Sequence, residues 1–139
     1  MKYLLDTCVL SELVKPTPEP KVVAWVNAQA DDTLFVSAIT LAELLKGIAK
    51  LQDSQRKTAL TEWVNKIQEE MADRILPFES STADYWANMC ATAEKAGTAL
   101  SAFDSLIAAT AMEHGLVIVT RNVRDFESAP VMLINPWLE

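Results

Sequence analysis

Histidine occurs once in this chain, at His114, and cysteine twice, at Cys8 and Cys90, far apart and without C-x-x-C spacing. A zinc site rich in either residue cannot be assembled from that supply, and a disulfide scaffold is not expected. Glycine is nearly as scarce, with Gly47, Gly97 and Gly115 standing isolated. Neither the G-x-x-x-x-G-K-[ST] loop nor the G-x-G-x-x-G fingerprint can be written, which excludes the two nucleotide-binding α/β designs built on glycine-rich turns. Long apolar runs are missing as well. The opening Tyr3-Leu4-Leu5 meets a charge at Asp6, and no later stretch approaches membrane-spanning length. Neither a signal-peptide core nor a membrane helix is therefore expected, and the cytoplasm is the expected compartment. Positive charge is short too: 12 Lys and Arg face 19 Asp and Glu, for a formal net charge of −7. Taken alone, that balance argues against a broad basic face gripping a polyanion.

What is present is apolar side chain in quantity, 50% of 139 residues, enough for one packed core, and a single domain spanning 1–139 is expected. Tyr3 to Leu5 reads as a short strand, and Val9 to Val14 as a short helix stopped by Pro16, Pro18 and Pro20. Val22, Val23, Trp25 and Val26 continue at helical spacing to about Ala30, and Leu34-Phe35-Val36 forms a second strand. Thr40 to Leu51 and Ser54 to Met71 are amphipathic, the first with Leu41, Leu44, Leu45 and Ile48 on one face, the second with Leu60, Val64 and Ile67. Arg74 to Phe78 holds a short strand, Thr82 to Ala96 a helix closed by Gly97, and Ala102 to His114 a helix closed by Gly115. Leu116 to Thr120 is the clearest strand, apolar without interruption as expected when both faces are buried, and Val131 to Ile134 is the last. Strands alternating with helices predict an α/β fold with a mainly parallel central sheet flanked by helices. In such sheets chemistry gathers outside the carboxyl ends of the strands.

Three acids stand at such positions. Asp6 follows the first strand, Glu43 comes shortly after the second in Ser37-Ala38-Ile39-Thr40-Leu41-Ala42-Glu43, and Asp104 opens the helix before Leu116. Thr40-x-x-Glu43 and Ser101-x-x-Asp104 also fit the capping-box pattern, so each acid has a purely structural explanation open to it. Glu43 and Asp104 nevertheless interrupt strongly apolar neighbours, and Asp104 has no lysine or arginine within a helical turn. Carboxylates half-buried there are costly unless paired, hydrogen-bonded or bound to a metal. Gathered in one pocket they would repel one another, whereas a divalent cation would keep them ionised, and hard oxygen donors select magnesium or manganese over zinc.

The chain resembles the PIN-domain ribonucleases, and within them the VapC-type toxins of prokaryotic toxin–antitoxin pairs. The likeness is carried by Leu4-Leu5-Asp6-Thr7, by Val36 to Leu44, by Phe103-Asp104-Ser105-Leu106-Ile107-Ala108-Ala109 and by Val119-Thr120-Arg121-Asn122-Val123-Arg124-Asp125-Phe126, in that order over nearly the whole length. The Asn135-Pro136-Trp137 ending is similar to the FitB-like subgroup. The resemblance implies a PIN-like three-layer sandwich, with Asp6, Glu43 and Asp104 as the acidic metal site. A fourth acid often follows the last buried strand in the family. Here Asn122 occupies that place, so the fourth ligand is Asn122 itself or Asp125, with Asp125 preferred and a turn-capping role open to it. Cys8 stands where many members have asparagine; no partner base is evident, so it reads as a filler and not a nucleophile.

The chemistry implied is hydrolysis of an RNA phosphodiester by a metal-activated water, with Thr7, Thr120 or Asn122 supplying hydrogen bonds. The charge objection weakens once the acids are offset by a cation, and local basic groups then matter more. Lys46 and Lys50 on the Glu43 helix, with Arg121 and Arg124 beside the last ligand, are the candidates for guiding phosphates, each with a solvated-surface reading beside it. Trp63 and Trp86 read as core or interface residues in preference to base-stacking ones, and His114 as the end of its helix. From the family come three further expectations: an antitoxin of the VapB type that binds DNA and covers apolar surface around the first helix and the long helical pair, a homodimer, and an RNA target ranging from transfer to ribosomal RNA. Two other readings compete. A metal-dependent phosphohydrolase of another fold would want an Asp-x-Asp pair or a phosphate loop, which Asp6-Thr7-Cys8 does not supply. A catalytically silent domain binding RNA or protein is favoured by the Asn122 and Cys8 departures.

Overall fold

The computed structural model describes residues 1–139. Its elements run β1 (Tyr3–Leu5), α1 (Thr7–Leu13), α2 (Pro20–Asn27), β2 (Leu34–Ser37), α3 (Ala38–Ala49), α4 (Gln55–Glu70), β3 (Ile75–Leu76), α5 (Ser80–Lys95), α6 (Ala102–His114), β4 (Val117–Val119) and β5 (Leu133–Ile134), with 3-10 turns at Asp31–Thr33 and Val123–Phe126. The five strands form one sheet in the order β3-β2-β1-β4-β5, and every pairing is parallel. No helix is long and apolar enough to cross a membrane.

The sheet is buried on both faces because side chains alternate along each strand. Leu4 and Ile118 enter one apolar cluster with Met89, Ile107 and Phe126, whereas their neighbours Leu5 and Val119 enter another with Val9, Val36, Leu44 and Val64. The first cluster lies under α5 and α6, the second under α1 to α4. This is the three-layer α/β sandwich that the alternation of strands and helices predicts. In α6 the run Ile107 to Ala111 is wholly buried, and its alanines let the helix approach both the sheet and α5 closely.

Local chemistry accounts for most boundaries. Gly97 and Gly115 take positive φ, 72° and 64°, after α5 and α6, the left-handed conformation that ends helices cheaply at glycine. The proline cluster does less stopping than its sequence suggests. Pro20 is not a terminator but the first residue of α2, where a missing N–H costs nothing. Helix α5 starts before Thr82, because Glu79 and Thr82 form a reciprocal capping box. β4 and β5 are shorter than their apolar runs: Leu116 and Thr120 flank β4 without joining it, and only Leu133–Ile134 of the last run pairs. Those outer residues are held by packing and single hydrogen bonds instead, as when Thr120 N–H donates to the Ile134 carbonyl.

The strand order fixes where a site can form. After β1 the chain moves to one side through β2 and β3, then crosses over to place β4 on the other side. The crevice therefore opens beyond the carboxyl ends of β1 and β4, where Asp6 and Thr120 emerge.

Candidate metal centre

Asp6 ends β1 and caps α1. Its backbone N–H donates to the Val119 carbonyl at 3.0 Å, extending the β1–β4 ladder by one rung. Its Oδ1 accepts the Thr7 N–H at 2.8 Å, and its Oδ2 accepts the Thr120 hydroxyl at 2.8 Å. Thr120 is fully buried and its oxygen accepts the Asn122 N–H at 3.0 Å, so a short relay runs from Asn122 through Thr120 to Asp6. Asp6 itself is 6% exposed, and each of its carboxylate oxygens accepts at least one hydrogen bond. Such bonds to both oxygens hold the side chain in one orientation.

Glu43 reaches the same place from α3. The capping reading of Thr40-x-x-Glu43 is overturned: α3 begins at Ala38, and its cap is Ser37, whose hydroxyl oxygen accepts the Ile39 N–H at 3.0 Å. Thr40 is a fully buried helix residue, and Glu43 lies beyond the first turn. The Glu43 carboxylate instead accepts the Thr7 hydroxyl at 2.9 Å, across 36 positions of sequence. Thr7 thus touches two acids, Asp6 through its amide and Glu43 through its hydroxyl. Burial pushes the Glu43 carboxyl above its ordinary value; the Thr7 bond opposes this, and repulsion from Asp6 and Asp104 adds to it.

Asp104 sits in the first turn of α6. The capping reading holds for Ser101, whose oxygen accepts the Asp104 N–H at 3.3 Å while its hydroxyl donates to Asp104 Oδ2 at 2.7 Å. It accounts for the helix start without removing the acid from the site. Burial raises the Asp104 carboxyl, opposed by the Ser101 bond and reinforced by Asp6 and then Asp125. The four acids are therefore linked in one field: Asp6 repels Glu43 and Asp104, Glu43 repels Asp104, and Asp125 joins through Asp104. Asp104, Asp125 and Arg124 line one polar cavity of about 490 Å³.

As the side chains lie, no three acidic, histidine or cysteine groups close around a single point at ligand distance. The donor set still suits a hard divalent cation. It is all oxygen, two of its four acids are raised by burial and by their neighbours, and a bound cation would relieve both. Asn122 contributes its backbone N–H, and its exposed side chain makes no hydrogen bond within the chain. Cys8 is more than a filler. Its sulfur accepts the Arg121 N–H at 3.5 Å and lies 3.5 Å from the Thr120 oxygen and 3.8 Å from Asp6 Oδ2. Burial pushes its thiol up, which keeps it protonated and a poor nucleophile.

The basic candidates divide. Arg124 lines the Asp104 cavity, and Arg121 directly follows Thr120. Lys46 on α3 and Lys50 at its C-cap are exposed and line neither this cavity nor the larger groove between α1, α3 and α4. That groove, about 690 Å³, is walled by Thr7, Lys15, Glu43, Ile48, Arg56 and Trp63 among others. Lys15 and Arg56 escape a reading of the sequence because neither lies near an acidic motif. Trp63 packs against the core as expected, while Trp86 is 37% exposed and donates its indole N–H to Ser105 at 2.9 Å.

A family model for the PIN domain matches residues 3–131. The chain belongs to the PIN-domain family. Among its relatives, the VapC ribonuclease Y4jK of Sinorhizobium fredii is 40% identical over 138 residues, covering 96% of each chain. Toxin FitB of Neisseria gonorrhoeae is 40% identical over 135 residues, covering 96% of this chain and 97% of that one. The chain also superposes on the structure of FitAB bound to the IR36 DNA fragment with a TM-score of 0.92 at 38% identity, over 97% of this chain and 95% of that one. The PIN fold thus joins the acidic constellation as an independent line.

Proposed function

We propose that this chain is the toxin of a type II toxin–antitoxin pair and acts as an endoribonuclease requiring magnesium or manganese. The observation that carries the reading is that Glu43 and Asp104, from separate helices, both feel the charge of Asp6, which stands at the carboxyl end of β1 beside β4. The likeness to a VapC ribonuclease and to Toxin FitB supports it. We assign Asp6, Glu43, Asp104 and Asp125 as the residues that hold the cation. Asn122 contributes through its amide, and Arg121, Arg124, Lys46 and Lys50 are assigned to the RNA backbone. The whole chain, 1–139, acts as one cytoplasmic PIN domain.

When bound, the cation supplies an activated water and offsets negative charge on the phosphate undergoing attack. The chain's own residues do the rest. Thr120 and the Thr7 amide hold the Asp6 side chain fixed, and the Thr7 hydroxyl restrains Glu43. Ser101 restrains Asp104, while Arg124 in the same cavity attracts phosphate towards it.

The partner in this reading is an antitoxin that binds DNA, consistent with the FitAB–DNA neighbour. The groove between α1, α3 and α4 is assigned to it, because half its lining is apolar and Thr7 and Glu43 form part of the wall. A homodimer belongs to the same reading, with Tyr85, Trp86 and Phe103, 42%, 37% and 47% exposed, offering apolar surface on α5 and α6. The test is incubation of purified protein with single-stranded and structured RNA, in magnesium and then in EDTA. Cleavage that requires the metal and disappears in Asp6→Asn upholds the proposal. Cleavage that survives EDTA overturns the metal mechanism. Hydrolysis of a small phosphate ester in place of RNA makes the protein a phosphohydrolase, and binding without cleavage makes it a silent PIN domain.

A further inference from the structure

Arg121 follows Thr120, the residue that anchors Asp6, and its own N–H is tied to Cys8. Its backbone is therefore fixed to the acidic crevice. Its guanidinium carbon lies 5.3 Å from the centroid of the Trp137 ring. The ring is held in turn: β5 ends at Ile134, Pro136 is buried, the Trp137 N–H donates to Asn135 Oδ1 at 3.0 Å, and the indole packs against the apolar cluster under α1 to α4. Arg121 also reaches Glu12 through its charge: this carboxylate, only 6% exposed, has its charged form favoured first by Lys15, then by the Glu19 N–H, and least by Arg121. None of the chain's ion pairs includes Arg121, and no hydrogen bond uses its guanidinium.

A guanidinium stacked on an indole keeps its in-plane donors directed outward and loses side-chain entropy before any ligand arrives. An exposed arginine that is oriented but unpaired, one residue from the acidic crevice, is prepared for an anion. We propose that Trp137 is a positioning residue that holds Arg121 ready to receive a phosphate of the RNA strand next to the one being cut. The inference rests on the ribonuclease reading above. It gives the Asn135-Pro136-Trp137 ending a role in substrate binding, with the indole acting through Arg121 and not by stacking on a base.

The test compares Arg121→Ala, Trp137→Leu, Trp137→Phe and the Arg121→Ala/Trp137→Leu double variant with the parent protein. Cleavage kinetics on single-stranded RNA are followed across a salt series, alongside binding of a non-cleavable 2′-O-methyl RNA and thermal midpoints. Arg121→Ala is expected to raise KM about tenfold at low salt and to lower the log–log salt slope by about one, with kcat little changed. Trp137→Leu is expected to raise KM about three- to fivefold, and Trp137→Phe to recover most of that loss. In the double variant the Trp137 change adds nothing, since it acts through a side chain already removed. A Trp137→Leu loss that persists without Arg121, falls on kcat, or leaves the salt slope untouched overturns the proposal. If the parent cuts no RNA, the ribonuclease reading fails by itself, and the same variant pattern in 2′-O-methyl RNA binding decides the role of Trp137; a parent that binds none overturns both.

Discussion

The two flanks of the acidic crevice are built differently. On the β1–β4 flank, Asp6 is buried, and its carboxylate is fixed by the Thr7 amide and the Thr120 hydroxyl. On the α6 flank, Asp104 is half-exposed, has Ser101 as its one hydrogen-bonding partner, and faces an open polar cavity with Asp125. The first flank is fixed by folding; on the second, burial and the neighbouring acids disfavour the charged form of Asp104. The contrast teaches that an acidic cluster can be half scaffold and half spring. Asp6, fixed at the end of β1, is the rigid acid, whereas Glu43 on α3 and Asp104 in the first turn of α6 are acids that repel one another.

Breaking the rigid flank should have the largest effect. Asp6→Asn keeps a residue that caps a helix as well as aspartate does, so the thermal midpoint should move little. Metal-dependent RNA cleavage should fall by more than about 100-fold, beyond what is typical of residues that merely support a metal ligand. A large drop in midpoint would mean that Asp6 serves the fold first. Thr120→Val comes next. It strips one hydrogen bond from a buried carboxylate and leaves the Asn122 N–H without its acceptor, so stability should fall by about 1.5–3 kcal/mol. The magnesium concentration for half-maximal cleavage should rise about 10–100-fold. Denaturant titration and a metal titration read the two effects separately.

The springlike flank should reveal itself through pH. Glu43 and Asp104 titrate above their ordinary values in the folded chain, so at pH above the unfolded values the folded form holds more protons than the unfolded one. Their contribution is therefore neutral in acid and becomes destabilising as pH rises through the carboxylate range. Glu12 and Glu113, held below their ordinary values by Lys15 and by the Ser81 and Thr82 hydroxyls, act oppositely and lose stabilisation as pH falls. The difference between midpoints with and without magnesium largely cancels that second pair. It should be larger at pH 7.5 than at pH 5, and Glu43→Gln should raise the metal-free midpoint at pH 7.5. A magnesium effect independent of pH would show that the acids are not coupled through the cation. The smallest expected effect separates the two candidates for the fourth ligand. Asp125→Asn should weaken magnesium activation about tenfold, whereas Asn122→Ala, which keeps the amide bonded to Thr120, should change it less than twofold. The reverse order would assign the fourth ligand to the Asn122 side chain.

Most of this architecture was legible in the amino-acid order because burial patterns are local. The unbroken apolar run around β4 announced a strand covered on both faces, and Gly97 and Gly115 marked the ends of α5 and α6. Glu43 and Asp104 were legible as carboxylates set among apolar neighbours, and Asp6 as the acid that follows the first strand. Hidden were the contacts that join distant segments. Thr40 looked like a cap because Thr-x-x-Glu is a local pattern, yet Ser37 won the position: β2 runs straight into α3 there, and a serine at that corner satisfies the Ile39 amide. The Thr7–Glu43 bond, the Thr120–Asp6 bond and the seat of Arg121 on Trp137 depend on strand order, which no single window encodes. The short paired lengths of β4 and β5 were hidden for a related reason: packing buries an apolar residue whether or not it joins the ladder.

The abrupt junction at Ser37 also sets a rule for how this chain can vary. With no loop between β2 and α3, Glu43 rides on the strand as on a rigid crank, its direction set by the number of residues from the sheet edge. One residue inserted between Ser37 and Glu43 would swing the carboxylate by about 100° around the helix axis, away from Thr7. The turn between α3 and α4, around exposed Asp53, can lengthen without turning Glu43. Length is therefore under phase control on one side of α3 and free on the other.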